Sequence, residues 1–376
     1  GNGGTELEKQ IHNINIQPND TEALVQFAIK EGIDLTIVGP EDPLVNGITD
    51  RFKEEGLRCF GPSKGAAQLE GSKEFMKRFL QNHNIPTAEY AVFSSSDAAI
   101  NYVKEKGCPI VIKADGLAAG KGVTIAFTVE EAKIAINESL ESGVFGDAGK
   151  TIIIEEFLTG EEASFIVLTD GEIAIPFASS QDHKARDDQD KGPNTGGMGA
   201  YSPAPIVNTV IHKKIMDEVI YPTLKGLKKD GFTYCGFLYA GMMIDSKNNL
   251  KVLEFNCRFG DPETQPIMMR LKSDLADLCN QACSNSLEDC PLEWDERKAL
   301  GVVIASEGYP FEYEKNKEIK NIPYEQEDIK VFHAGTKYEA GKIKSNGGRV
   351  LCVTTLGNSV QSAQVKAYNA ITKIQW

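Results

Sequence analysis

The chain has 376 residues, 41% of them apolar and 25% charged, and its formal net charge is −14. That length exceeds what one hydrophobic core holds, so several domains are expected, and the acidic balance argues against a general nucleic-acid surface. No apolar run is long enough to cross a membrane, and the eight cysteines form neither a CxxC pair nor a zinc-finger cluster with histidine, which indicates a reducing, cytoplasmic location.

The first 62 residues predict a parallel α/β unit. The stretch DTEALVQFAIKEG (20–32) has an aspartate cap, apolar residues at helical spacing and a terminal glycine, and IDLTIVGP (33–40) is typical of a buried strand. A second helix at 44–56 and a second strand at 57–62 repeat this order, which predicts a parallel sheet. Because the chain opens at Gly1 inside a glycine-rich stretch, we expect this parallel α/β unit to be incomplete.

Helix and strand patterns continue to the last residues. A helix at 71–86 is capped by Ser72 and stopped by Pro86. Residues 88–158 predict a compact α+β unit, with a helix at 96–106, strands at 109–113, 123–127 and 151–155, and a helix at 129–141. Further strands are predicted near 163–169, 173–178, 236–244, 250–256, 299–305, 331–335 and 348–355, with helices near 208–229 and 359–372.

A loop rich in glycine and alanine, ADGLAAGKGV (114–123), directly follows the predicted strand 109–113. Its glycines let backbone N–H groups approach a polyphosphate closely and form an anion nest. Lys121 is followed by Gly122, so the loop is not a Walker A motif, and its two flanking strands indicate a hairpin that folds over phosphates. A hairpin tip without a ligand is the alternative.

Carboxylates follow the predicted strand at 151–155. The end of such a strand offers backbone groups to a purine edge, and a carboxylate can hold ribose hydroxyls. A solvated acidic turn is the alternative. The candidate carboxylates are Glu155, Glu156, Glu161 and Glu162.

The sharpest pattern is LKVLEFNCRFGDPETQP (250–266). Glu254 and Asn256 are two residues apart on a predicted strand, so both side chains lie on one face. Two hard oxygen ligands on one face suit Mg²⁺, which keeps waters and shares phosphate oxygens. Arg258 continues this face and could hold a carboxylate or phosphate in a bidentate fork. An exposed face of an edge strand is the alternative.

The segment 179–205 has few periodic apolar residues and predicts a long loop, either functional or disordered. Asp182, His183, Lys184 and Arg186 could meet an amine, a phosphate or a carboxylate, although a surface histidine is the favoured interpretation for His183. No Ser/His/Asp or Cys/His spacing of a nucleophilic enzyme is evident in the sequence.

Several of these stretches, in this order, resemble the phosphoribosylamine–glycine ligase (glycinamide ribonucleotide synthetase) family of the ATP-grasp superfamily. The resemblance covers essentially the whole chain. It is carried by SKEFMKRFLQNHNIPTAEY, VIKADGLAAGKGV, IIIEEFLTGEEASF, SQDHK, GPNTGGMGAYSPAP, CGFLYAGMMID and EFNCRFGDPETQP.

The resemblance implies an α/β and α+β multidomain protein. Its parts would be an incomplete Rossmann-like N-terminal domain (1–62), an ATP-grasp core (63–87 and 159–294), an ATP-grasp lid subdomain (88–158) and a small β-rich C-terminal domain (295–376). The family's usual first strand and GxGGREH loop are absent, and so is its usual last strand. We therefore expect an incomplete phosphoribosylamine pocket.

The resemblance also implies ATP-dependent ligation of glycine to 5-phosphoribosylamine through glycyl phosphate, by a monomer that needs neither nucleic acid nor a membrane. ATP would lie between core and lid, with Mg²⁺ or Mn²⁺ on Glu254 and Asn256. Related ligases often carry a further carboxylate ligand near the position where this chain has Gly241, so only two protein metal ligands are expected. The implied nucleotide contacts are Lys73, Lys113, Gly120 and Gly122 at the phosphates, Glu155 and Leu158 at adenine, and Glu162 at the ribose, with Glu161 as its neighbouring candidate.

Three residues are assigned to the chemistry by this resemblance. Lys184 would reach the γ-phosphate, Arg258 the glycine carboxylate and Asp182 the glycine amine. Two other functions remain as alternatives. Another ATP-grasp ligase of purine metabolism should lack GPNTGGMGAYSP, and a nucleotide-binding regulator would not need a complete metal and phosphate site.

Overall fold

The computed structural model describes residues 1–117, 122–288 and 291–376. In the N-terminal part, two short strands pair in parallel, with Thr36 opposite Cys59, as the alternating pattern predicts. The predicted helix 44–56 is divided at Gly47, whose φ of +95° ends one helix before the next begins. The elements are a 3₁₀ turn (Thr5–Leu7), α1 (Thr21–Glu31), β1 (Thr36–Ile37), α2 (Glu41–Asn46), α3 (Ile48–Glu54), β2 (Cys59–Phe60), α4 (Gln68–Gly71) and α5 (Lys73–Asn82).

The predicted lid is a four-stranded antiparallel sheet in the order β3-β6-β4-β5, with two helices packed on it. Ile112, Ile152 and Ile154 of the sheet pack against Ala132 and Ile136 of a helix, so this unit has its own apolar core. Its elements are β3 (Tyr90–Phe93), α6 (Ser96–Lys106), β4 (Ile110–Ala114), β5 (Val123–Ala126), α7 (Val129–Leu140), a 3₁₀ turn (Gly146–Lys150) and β6 (Ile152–Glu156).

A second antiparallel sheet, in the order β14-β13-β7-β8, forms the centre of the molecule. One face packs on the apolar side of α5 and on a long helix that contains a π-helical turn, while the other face packs on α10 and α11. The elements are β7 (Glu161–Thr169), β8 (Ala174–Pro176), α8 (Thr209–Ile215), the π turn (Met216–Ile220), α9 (Tyr221–Lys229), β13 (Gly236–Ile244), β14 (Leu250–Asn256), α10 (Thr264–Arg270) and α11 (Leu275–Cys283).

A β-bulge in β14 sets the direction of its side chains. Gly241 lies opposite Glu254 and Met242 opposite Val252, so Leu253 is the extra residue. Val252 and Phe255 consequently share one buried face although they are three residues apart. Glu254 and Asn256 lie on the other face, as predicted, at the edge of the sheet.

The segment 179–205 is not the long loop that its composition predicts. It contains four short strands, and two of them join strands from the end of the chain in a sheet of order β16-β19-β15-β12-β9. This sheet joins strands from both sides of the boundary proposed at 294/295. The strands of this sheet are β9 (Gln181–Asp182), β12 (Gly199–Ser202), β15 (Lys298–Ala305), β16 (Ile329–His333) and β19 (Arg349–Gly357). The other elements of these two segments are β10 (Ala185–Asp187), β11 (Lys191–Asn194), β17 (Thr336–Glu339), β18 (Lys342–Ser345) and α12 (Val360–Ile371).

The first residues contact β16 of this sheet and the neighbouring strand β17. The Asn2 side-chain amide donates to the His333 carbonyl at 2.6 Å, and the Gly3 N–H donates to the Thr336 carbonyl at 3.2 Å. Within the described ranges, no helix is long and apolar enough to cross a bilayer.

Candidate active site

The lid sheet and the central sheet meet at the strand that carries Glu254 and Asn256. Lys113 of β4 donates from Nζ to the Leu253 carbonyl of β14 at 3.4 Å, and Lys251 forms an ion pair with Glu156 of β6. Residues from the two predicted halves of an ATP site therefore face each other, and the region between the two sheets is the candidate ATP cleft.

A buried carboxylate joins two lysines at the lid side of this cleft. Glu155 Oε2 lies 3.0 Å from Lys77 Nζ and 3.0 Å from Lys113 Nζ, and the Glu155 and Lys77 side chains are 2% and 0% exposed. Lys77 also donates to Thr87 Oγ1 at 2.7 Å. Burial lowers the pKa of Lys77 to about 8, and the charge of Glu155 opposes that shift.

The other carboxylate oxygen, Glu155 Oε1, is buried without a hydrogen-bond partner in the part of the chain that the structure describes. A buried acceptor of this kind is rare and calls for a donor from a ligand or water. The sequence interpretation missed Lys77, although it lies one helical turn after Lys73 and so on the same side of α5.

Two further predicted nucleotide contacts, Lys73 and Gly122, lie at the base of the glycine-rich loop. Lys73 donates from Nζ to the Gly116 carbonyl at 2.9 Å, and burial lowers the pKa of this lysine. Gly122 accepts a hydrogen bond from the Ala114 N–H at 2.8 Å, which closes the base of the hairpin. Leu158 is half-buried between β6 and β7, and the predicted Gly120 lies outside the described residues.

Lys184 joins the carboxylates on the side of the central sheet. Its Nζ lies 3.1 Å from Glu162 Oε2 and 3.6 Å from Glu254 Oε1. Burial alone would lower the pKa of Lys184, but the charges of Glu254, Asp182 and Glu162 raise it well above its ordinary value. In turn, Lys184 lowers the pKa of Glu254, which keeps this carboxylate ionised.

Two neighbours of Lys184 have different surroundings. Burial raises the pKa of Asp182, and the nearby cation of Lys184 opposes the shift. His183 is exposed, which fits the surface histidine that the sequence favours. The structure thus brings Asp182, Lys184, Glu162 and Glu254 together and leaves His183 outside the cluster.

The donor set on β14 fits a divalent cation that retains other ligands. Among the described residues, no group of three or more His, Cys, Asp or Glu side chains could hold a metal ion by itself. Glu254 and Asn256 offer one carboxylate and one amide oxygen, and their contacts with Lys184 and Arg258 are long, at 3.6 and 3.4 Å. Such a pair leaves coordination positions for water and phosphate oxygens, as Mg²⁺ requires.

Arg258 lies where the N-terminal part meets the end of β14. Its Nε is 3.1 Å from Glu41 Oε2, and its Nη2 is 2.9 Å from Glu70 Oε1. Its Nη1 donates to the Phe259 carbonyl at 3.0 Å. The guanidinium predicted to hold the glycine carboxylate therefore already contacts two protein carboxylates.

Glu70 is a site residue that the sequence did not reveal. Its side chain is 5% exposed, and Oε2 accepts the Cys257 N–H at 2.7 Å, next to Arg258. Burial raises the pKa of Glu70 to about 7, and the charge of Arg258 opposes this rise. A single glutamate before the helix cap carries no pattern that would distinguish it from a surface residue.

We expect Glu70→Gln to change the pH dependence of stability. Because the folded protein binds this proton more tightly than the unfolded chain, the stability that Glu70 contributes is complete below pH 4.5. It is lost as the pH rises through about 7. Glutamine does not titrate, so the variant should gain on the order of 3 kcal/mol relative to wild type between pH 4.5 and 8. Urea unfolding across this range measures the difference, and parallel profiles would contradict the shifted pKa.

Comparisons with known proteins agree along the whole chain. Models of phosphoribosylglycinamide synthetase match in three parts: the N domain at 1–70, the ATP-grasp (A) domain at 71–264 and the C domain at 299–376. Proteins named phosphoribosylamine–glycine ligase from Escherichia coli O157:H7 and Vibrio parahaemolyticus are 58% and 57% identical to the chain. Each alignment covers all of the chain and 88% of the relative.

Solved structures show the same relationship. A phosphoribosylamine–glycine ligase from Thermotoga maritima superposes with a TM-score of 0.83 at 32% identity, covering 100% of this chain and 90% of that one. A biotin carboxylase domain from Hydrogenobacter thermophilus, solved with magnesium ADP, has a TM-score of 0.75 at 16% identity, covering 99% and 82%. The second likeness concerns the fold alone. The chain belongs to the phosphoribosylglycinamide synthetase family.

Proposed function

We propose that the cleft between lid and central sheet joins glycine to 5-phosphoribosylamine through a glycyl phosphate. The chain is an ATP-dependent ligase of purine biosynthesis, since all three family domains match and relatives of that activity are 58% identical over its full length. The observation that carries the proposal is the convergence of Lys113, Lys184, Glu254 and Asn256 on one cleft.

ATP would lie with its base at the lid. Glu155 Oε1, which has no hydrogen-bond partner among the described residues, is an acceptor suited to an exocyclic amine, and the backbone of Glu155 and Leu158 would pair with the adenine edge. Glu162 would hold the ribose. Lys73 and Lys113 would contact the phosphates, while Gly120 and Gly122 would let the backbone approach them closely.

Glu254 and Asn256 would hold a divalent cation, Mg²⁺ or Mn²⁺, which neutralises charge on a transferring phosphoryl group when bound. Lys184, cationic beside Glu254, would stabilise the γ-phosphoryl group from the other side. Arg258 would orient the glycine carboxylate and Asp182 the glycine amine.

The reaction would need positioning more than a protein nucleophile. A glycine carboxylate oxygen attacks the γ-phosphorus and ADP leaves, giving glycyl phosphate. The amine of phosphoribosylamine then attacks the acyl carbon, a proton is lost, and phosphate leaves to give glycinamide ribonucleotide. Excluding water from the cleft would protect the acyl phosphate from hydrolysis. We propose that the chain works as a cytoplasmic monomer on these small substrates.

Transfer of a labelled oxygen from the glycine carboxylate to phosphate tests whether glycyl phosphate is the intermediate. With glycine labelled by ¹⁸O in its carboxylate, one labelled oxygen should appear in each phosphate released during turnover. That oxygen is the one that bridges carbon and phosphorus in glycyl phosphate. Unlabelled phosphate in the presence of product would exclude the acyl phosphate and leave the ligase activity in place.

Arg258→Lys tests the glycine contact. A point charge replaces a planar fork, so we expect the KM for glycine to rise about tenfold while the KM for ATP changes less than about twofold. Arg297→Lys is the matched control, since Arg297 is also paired with two carboxylates but lies in the C-terminal part. An equal rise in both KM values would assign Arg258 to holding Glu41 and Glu70 instead.

A further inference from the structure

Arg349, the first residue of β19, reaches from the C-terminal sheet to two loops of the site. Its Nη1 donates to the carbonyls of Gly196 at 2.6 Å and Asp261 at 2.8 Å, and its Nη2 lies 3.0 Å from Asp261 Oδ2. A longer contact, 3.3 Å, reaches the Gly197 carbonyl. The first loop is 195–198 and the second is 259–263, and one guanidinium therefore joins them.

The two loops touch only because the first contains glycines. A Cβ on Gly196 would lie 2.9 Å from the guanidinium carbon of Arg349. A Cβ on Gly197, whose φ is +109°, would lie 2.4 Å from Pro262 Cδ. The Gly196 N–H also donates to Tyr309 Oη at 3.1 Å, a second contact from the C-terminal part. The Thr-Gly-Gly sequence at 195–197 therefore allows the close approach through which Arg349 contacts both loops.

Loop 195–198 in turn fixes the backbone of Lys184. The N–H and Oγ1 of Thr195 both donate to the Lys184 carbonyl at 2.8 Å. Thr195 Oγ1 also accepts the Gly197 N–H at 3.0 Å, and the Met198 N–H donates to the His183 carbonyl at 2.8 Å. A shift of this loop would therefore move the segment between β9 and β10 that carries Lys184.

Loop 259–263 directly follows Arg258, which lies two residues after the end of β14. The Phe259 carbonyl accepts from Arg258 Nη1 at 3.0 Å. Glu263, at the other end of the loop, is 3% exposed and accepts from Ser164 Oγ at 2.9 Å. The loop therefore links Arg258 to Ser164 of the central sheet.

We propose that Arg349 is a positioning residue that holds loops 195–198 and 259–263 together to form the site for the phosphorylated amine substrate. The inference rests on the proposed function. All contacts of Arg349 named above reach these loops, whereas Lys73, Lys113 and Glu155 of the proposed nucleotide site lie in α5, β4 and β6. Without the arginine, ATP still binds through α5, β4 and β6 and glycyl phosphate still forms, at a rate lowered by the shift of Lys184, but the amine is poorly placed and water consumes the glycyl phosphate.

The test is the kinetics of Arg349→Gln with freshly prepared phosphoribosylamine. We expect its KM for phosphoribosylamine to rise about tenfold, with the KM for ATP changed less than about twofold. Phosphate released per glycinamide ribonucleotide should rise from about one to two or more, because acyl phosphate is lost to water. Arg349→Lys should return the KM for phosphoribosylamine and the phosphate released per product only part of the way to the wild-type values, since an ammonium cannot make the parallel contacts of the fork.

Two further variants keep the test decisive. Arg297→Gln removes another arginine of the C-terminal part, paired with Asp295 and Glu327, and should leave both readouts unchanged. Asp261→Asn removes only the charge of one contact and should shift both readouts in the direction of Arg349→Gln by a smaller factor, even if Arg349→Gln folds poorly. If Asp261→Asn and a folded Arg349→Gln both match Arg297→Gln, the positioning role is wrong. Wild type that releases no phosphate with both substrates would instead contradict the proposed function.

Discussion

Glu254→Gln should lower kcat by about 10²–10³-fold, the loss typical of removing one electrostatic contact to a transferring group. The carboxylate is ionised because Lys184 lowers its pKa, and it is the only anionic member of the proposed metal pair. Glutamine has the same shape, so the fold should persist. Steady-state phosphate release at saturating Mg²⁺ and substrates measures the effect.

A surface carboxylate provides the control for this variant. Glu172 forms an exposed ion pair with Lys228, and Glu172→Gln should retain wild-type turnover. Turnover of Glu254→Gln within about threefold of that control would remove Glu254 from the metal site. A raised Mg²⁺ requirement with partial recovery at high Mg²⁺ would support the assignment further.

Glu155→Gln should have the largest effect on stability. It leaves Lys77, 0% exposed, and Lys113, 10% exposed, without the carboxylate that each contacts at 3.0 Å. Leaving buried charge uncompensated costs about 3–5 kcal/mol of the free energy of unfolding. Urea unfolding followed by circular dichroism at pH 7 measures the loss.

The double variant Lys77→Met/Glu155→Gln separates charge from shape. Methionine keeps the apolar stem and removes one cation, so the double variant should recover at least about half of the lost stability. Equal instability of the single and double variants would mean that packing at Glu155, and not its charge, stabilises the lid against α5.

Local patterns predicted the elements that are stabilised locally. The helix predicted at 96–106 is found as Ser96–Lys106, because Ser95 caps it and Gly107 ends it within the same stretch. The strand predicted at 250–256 is found as Leu250–Asn256 and presents Glu254 and Asn256 on one face. The shared face of these two side chains could be predicted because the last three residues of the strand keep a period of two.

The parts that the sequence did not predict depend on distant residues. β12 pairs with β15, about a hundred residues later, so nothing in segment 179–205 marked it as a strand. Lys77 lies in helix α5 among residues that pack into the core, so the local sequence gives no sign of its role. Glu155 comes beside it only in the folded protein. The partners of Arg258 likewise come from α2 and α4, far away in the chain.

Product formation tests the central claim most directly. The chain, with ATP and Mg²⁺, would be supplied with glycine and freshly made phosphoribosylamine, separately and together, while phosphate and glycinamide ribonucleotide are quantified. We expect glycinamide ribonucleotide only when both substrates are present, with about one phosphate released for each molecule formed. Phosphate release that does not depend on glycine, with no glycinamide ribonucleotide formed, would contradict the assignment of this cleft to glycine ligation.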